Sequence, residues 1–247
     1  MAQPRGSERC ALHDPDGIST EVKLEVLQQK GELKKMLGKV IFKISFVLAM
    51  LGVMPQVLAA DEAPEYAKRL VTVYGNVVAT ETPVDWPMTP AHEQQSGDIY
   101  IMELLPEGQN LETWEEMITI LGRKGVEASP RQFFTAMYLQ QQQVCTEVNV
   151  AAEVFHETPD FLIALLMCGG VTAQTSGTGG LQQGQGEMAV YRIEKRDGNL
   201  YMIFKSWRGA AYNVKSTDFG VWPTSIENMG EYLEVLVRSH LTKPISQ

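Results

Sequence analysis

Residues 61–67 are polar, and beyond them short β-branched, apolar and alternating runs predict strands. The β-branched stretch "KRLVTVYGNVVATE" reads as a strand, or as two short ones around Tyr74-Gly75-Asn76. "TPVDWPMTPAHEQQSG" carries three prolines and predicts a loop, with Trp86 either plugging the core or exposed as a contact. "DIYIMELL" predicts a strand closed by the turn residues Pro106–Asn110. In "LETWEEMITILG", Leu111, Trp114, Met117, Ile118 and Leu121 recur at helical spacing while "MITI" suits a strand. We expect a helical turn at Glu112–Glu116 running into a short strand.

Ser129 and Pro130 form a helix start, with the cap first and proline where a missing N–H costs nothing. The helix "PRQFFTAMYLQQQQV" turns Phe133, Phe134, Met137 and Tyr138 inward. Val148, Val150, Ala152 and Val154 alternate as in a strand, and "DFLIALLMC" is an apolar run of central-strand length. Seven glycines between Gly169 and Gly186 predict a loop. "EMAVYRIEKRDGNLYMIFKSWRG" then predicts a hairpin turning at Arg196–Asn199. Thr224–Glu227 matches a capping box, and Ile226, Met229, Leu233, Leu236, Val237 and Leu241 trace the face of a last helix carrying His240. Strands and helices mix without βαβ regularity, which predicts an α+β fold: a mainly antiparallel sheet with helices packed on it.

A different pattern precedes these elements. "KKMLGKVIFKISFVLAMLGVMPQVLAADEAPEY" runs from a basic end through an apolar core, Ile44–Met54, to small residues. That order fits a secretory signal, with cleavage after Ala59 or Ala60. The core is shorter than the roughly 20 apolar residues that span a bilayer, so no membrane span is expected after cleavage. Met36 stands at the head of this leader. We therefore expect residues 1–35 to be a disordered or untranslated extension and 36–59 the signal peptide. Residues 60–97 then hold the N-terminal strands and proline-rich loop, and 98–247 continue the same α+β domain.

Removing 59 residues changes the charge. The chain has 21 basic and 30 acidic side chains, and the leader takes eight and six of them. The remainder has a net charge of −11, and no basic stripe offsets it. Nucleic acid and anionic lipid are thereby disfavoured as partners. The same charge also serves solubility. Of three cysteines only Cys145 and Cys168 follow the leader, and in an exported protein two cysteines are expected to pair.

Candidate chemistry is sparse. The glycine-rich loop lacks the Lys and Ser/Thr of a phosphate-binding loop, and Glu187 follows where phosphate would sit. No G-x-S-x-G elbow occurs. His92, His156 and His240 are separate, and His156-Glu157 lacks the further ligands that zinc needs. No catalytic, cofactor-binding or metal-binding residue is assigned. Arg208 is placed to pair with Glu187 across the hairpin. Trp86, Trp207 and Trp222 are candidates for an aromatic contact surface, although for the cluster Trp207, Tyr212, Phe219 and Trp222 core packing is the preferred reading.

Glu103, Pro106, Gly108, Trp114, Met117-Ile118-Thr119, Cys145, Cys168, Gly186-Glu187, Tyr201 and Arg208 form a series over about residues 98–212. It resembles that of an uncharacterised family of small exported proteobacterial proteins. The resemblance implies export and a cysteine pair, and carries over no catalytic residue. The glycine-rich loop after Cys168 is longer here. The expected function is that of a periplasmic, non-enzymatic protein contacting envelope proteins, for example as an accessory subunit of a secretion apparatus or outer-membrane assembly. The alternatives are a hydrolase with a site assembled from distant residues, and a small-ligand binder using Trp86, Trp114 and the sheet face.

Overall fold

Two turns with left-handed backbone fix the strand pairings near either end of the fold. Tyr74 and Gly75, at φ 49° and 77°, join β1 (Tyr66–Val73) to β2 (Asn76–Pro83). Asp197 and Gly198, at φ 52° and 73°, join β8 (Gln185–Arg196) to β9 (Asn199–Ala210). Consecutive positive φ values give the primed turns that match the twist of tight hairpins. The computed structural model describes residues 65–145, 149–171 and 180–243. The leader, its cleavage site at Ala59 and Ala60, Val148 and the middle of the glycine-rich loop lie outside the described residues.

The other elements are β3 (His92–Ser96), β4 (Ile99–Leu104), β5 (Glu116–Arg123), α1 (Pro130–Val144), β6 (Val150–Glu157), β7 (Phe161–Cys168), a 3₁₀ turn at Phe219–Val221, α2 (Ile226–Arg238) and β10 (His240–Thr242). Seven strands form one antiparallel sheet in the order β3-β4-β5-β9-β8-β7-β6, and β1-β2-β10 form a second. The fold is α+β, as the mixed pattern predicts.

Strand alternation sends the large sheet's side chains to two cores. On one face α2 and the small sheet bury Trp207, Met188, Val190 and Ile203 with Val71, Val78 and Leu241. On the other, α1 lays Phe134 against Tyr191, Ile193 and Leu166. Gly122 lets the small sheet approach β5, because a Cβ there would lie 2.6 Å from Val73 Cγ1.

Helix α1 is fastened at both ends. Ser129 Oγ accepts from the Gln132 N–H while Gln132 Oε1 accepts from the Ser129 N–H, completing a capping box. Arg131 pairs with Glu157 on β6, and Cys145, at the other cap, is bridged to Cys168 on β7 with 5.8 Å between Cα atoms. The expected cysteine pair is therefore present.

Several details differ from the sequence reading. His92–Ser96 is an edge strand, because its N–H and C=O groups find the ladder of β4. Glu112–Glu116 forms no helix. Asn110 and Gln109 side chains cap the N–H groups of Glu112, Thr113, Glu115 and Glu116, which replaces helical bonding. Ser225, not Thr224, caps α2. The buried stripe of α2 is Met229, Tyr232, Val235 and Leu236, leaving Val237 exposed. His240 begins β10 instead of ending the helix, and Gly186 belongs to β8, where the Tyr212 ring fills the space of a side chain.

A candidate contact site around Glu103 and Arg208

Helix α1 packs on β6, β7 and β8, while one flank of that same sheet face, β3, β4 and β5, carries a different set of side chains. Cross-strand register places His92, Glu103 and Thr119 side by side there. Phe204 on β9 continues the row. One pair further along the same face, Met117 faces Ser206, and Arg208 faces Glu187 across the hairpin.

The segment between β4 and β5 folds over the end of this face. Leu105, Trp114 and Met117 make a small core of their own, with Leu111 against it. Gly108, at φ 84°, reverses the chain, and the side chains of Gln109 and Asn110 occupy its N–H groups. Arg208 N–H donates to Glu115 C=O at 2.8 Å, tying this segment to β9.

Trp114 lies beneath Arg208, whose guanidinium carbon is 3.6 Å from the ring centre. Arg208 Nε donates to Glu187 Oε2 at 2.9 Å, and Tyr212 donates its hydroxyl proton to Glu187 C=O at 3.0 Å. The expected Arg208–Glu187 pair is formed. It is not the exposed bridge that contributes little, since the Arg208 side chain is only 10% exposed. A desolvated cation over an indole adds roughly 2 kcal/mol.

Glu103 has a different standing. It is half-buried, and among the described residues its carboxylate meets no hydrogen-bond donor and no ion-pair partner. Burial pushes its pKa up, while the charges of His92 and Arg208 pull it partly back. Opposite it, the Thr119 hydroxyl is buried and unpartnered, and so is that of Ser206. An unpaired buried hydroxyl costs about 1–3 kcal/mol. This face therefore concentrates unmet polar groups beside one well-built cation–aromatic pair.

The predicted tryptophans lie elsewhere. Trp86 and Trp207 are 7% and 1% exposed, inside the core on the opposite face, and so do not form an outward contact surface. There they box the ammonium of Lys205 together with Tyr232, at 5.1–5.6 Å from the ring centres. Arg69 holds the proline-rich loop that carries Trp86 by donating to the carbonyls of Met88 and Pro87 at 3.0 and 3.3 Å. Trp222 is half-buried at the rim, and its ring meets Phe219 edge-on. Trp86 and Trp114 are on opposite sides of the sheet, so one ligand does not touch both.

The histidines are also dispersed. His92 is on the β3 edge, His156 stacks on Phe161 near the β6 edge, and His240 Nδ1 lies 2.9 Å from Arg238 C=O. Among the described residues no three His, Cys, Asp or Glu side chains are grouped as for a metal ion. No described helix is long and apolar enough to cross a membrane.

Sequence reasoning singled out Arg208 with Glu187 by their hairpin register. It missed Glu103 and Thr119 as a pair, because the β4–β5 register that sets them opposite depends on the intervening segment forming no helix.

No family model matches the chain, and no curated protein matches it. Solved structures do. The Saccharomyces cerevisiae Ran-binding protein Mog1p aligns with a TM-score of 0.42 at 12% identity, over 71% of this chain and 96% of that one. A mutant of protein Mog1 aligns with a TM-score of 0.41, also at 12% identity, over 70% and 95%. A similarity of this size carries nothing over to the chain's function.

Proposed function

We propose that the chain is an exported, non-enzymatic protein that holds a protein partner on the β3–β4–β5 half of its large sheet. Its setting is the periplasm, as an accessory subunit of an envelope assembly. The observation that carries the reading is Glu103, a half-buried carboxylate without a partner among the described residues, beside the Arg208–Trp114 pair. A free protein bears the cost of such a group, and a complex relieves it. The leader pattern and the Cys145–Cys168 bridge support export, since disulfides persist in oxidising compartments.

The test is site-specific photo-crosslinking in the native cell. A crosslinker at exposed Gln94 or Glu107 should trap one discrete partner, and one at Glu227 on α2 should not. Equal trapping from Glu227, or none from the β3–β4–β5 face, would overturn the reading. Intact mass from the same cells checks export: it should begin at Ala60 or Asp61.

A further inference from the structure

We propose that the partner anchors on this face through a basic side chain, lysine or arginine, whose cation sits against the Glu103 carboxylate. This rests on the contact reading above and names its chemistry. Six other strand glutamates show what Glu103 lacks. Glu81 meets Arg238, Glu116 meets Lys205, Glu157 meets Arg131, Glu187 meets Arg208 and Glu194 meets Arg192. Glu93 accepts from the Tyr100 hydroxyl at 2.8 Å. Among the described residues Glu103 meets none, although it is half-buried in the middle of its strand.

Charge selects the sign of the occupant. The Arg208 cation is offset by Glu187, to which its Nε is already bound. The adjoining segment adds Glu107, Glu112 and Glu115, all exposed, and contains no lysine or arginine. The face is therefore net acidic, which steers a cation in and turns an anion away. Thr119 is the independent sign of an incomplete site. Its hydroxyl, on a residue 1% exposed and directly opposite Glu103, also has no partner. An apolar anchor would leave the Glu103 carboxylate unpaired, whereas an ammonium or guanidinium brings several donors at once.

The experiment uses the full chain with its disulfide intact, isotopically labelled and titrated with three short peptides. They are identical except for arginine, its neutral isostere citrulline, or glutamate at two positions. The arginine peptide should shift resonances of Glu103, Thr119 and His92. Glu103→Gln should weaken that binding at least about tenfold, the scale on which an interfacial charge pair acts. Glu227→Gln, which removes an exposed charge on α2 away from this face, should change it less than about twofold. Equal binding of the citrulline peptide, shifts confined to another face, or equal losses in the two variants would overturn the proposal. Spectra of Glu103→Gln that match the parent away from residue 103 establish that the variant folds. Crosslinks from Gln94 that persist unchanged in Glu103→Gln would sink the cationic anchor and leave the contact face standing. Crosslinks missing from the face in the parent would sink the face itself.

Discussion

Lys205 Nζ lies 2.8 Å from Glu116 Oε2, and the two members of this pair are unequally buried. The lysine side chain is 8% exposed inside its aromatic box and the glutamate 36%. Removing either partner therefore strands a different charge. Glu116→Ala leaves an ammonium in the core and should cost about 3 kcal/mol. Lys205→Met keeps the hydrophobic stem, leaves a carboxylate that water can reach, and should cost about 1 kcal/mol or less. Urea unfolding of the two variants checks the order, and a larger loss in Lys205→Met would refute the account.

The Cys145–Cys168 bridge closes a loop with a sequence separation of 23. Loop-closure entropy of that length corresponds to about 3 kcal/mol of stability. Its position adds a local consequence, since it joins the C-cap of α1 to the β7 end that pairs with the start of β6. Reduction, or Cys145→Ser with Cys168→Ser, should lower the unfolding free energy by that amount. It should also raise amide exchange first in α1 and β6, the two elements it fastens. Uniform exchange across both sheets would contradict that local role.

What the sequence made legible was what short-range chemistry decides. The α1 boundaries, its proline and its cap follow from Ser129-Pro130, and the β8–β9 turn follows from Asp197-Gly198, whereas Tyr74-Gly75 leaves one strand or two open. The Arg208–Glu187 pair was readable because hairpin register is set by its turn. Long-range decisions were not. Trp86 sits in a loop of prolines and exposed neighbours, and only Arg69, 18 and 19 residues away, explains why its loop turns inward. The stripe of α2 lies a fraction of a turn from the predicted face because Tyr232 takes an inner position, its ring wholly buried edge-on to Trp207. Arg192 was unreadable as core. It is satisfied by Glu194, by Leu236 C=O from α2 and by the Phe161 ring, contacts that come from three elements.

Alkaline pH should destabilise the fold through its tyrosines. Burial, and then the charges of Glu231 and Glu116, push the Tyr66 pKa from 10.0 up to about 12. Tyr100, Tyr191, Tyr212 and Tyr232 are raised too, again first by burial. A raised pKa in the folded state means the folded form holds its proton more tightly. The stability it contributes is full below pH 10 and is lost as pH climbs through the folded value. The unfolding midpoint should therefore fall from pH 10 upward. Tyr66→Phe should flatten the part of that fall between pH 10 and about 12. A variant whose curve parallels the parent's there would show that Tyr66 ionises freely in the fold.

Glu103 makes the opposite kind of statement, because its substitution should help the fold while harming the contact. Its pKa is raised above the ordinary 4.5, chiefly by burial, and neither His92 nor Arg208 reaches it as an ion pair. The sign is that of a raised group: the folded state is favoured while the carboxyl is protonated, and this contribution disappears as pH rises through the folded pKa. At neutral pH the ionised group is therefore a net cost, borne by a half-buried carboxylate that no described residue answers. Glu103→Gln removes the charge and keeps the shape. It should be more stable than the parent at neutral pH, with the advantage shrinking toward zero as both are taken below 4.5. Arg208→Gln should behave in the reverse way, since it breaks the stack on Trp114 and leaves Glu187 without its cation. A sheet position where the native residue weakens the fold is one that folding alone does not explain, and binding is the remaining reason to hold a charge there. Thermal melts of the two variants across that pH range decide it. A Glu103→Gln protein less stable than the parent at neutral pH would mean that the carboxylate is a satisfied structural group, and the contact site would lose its anchor.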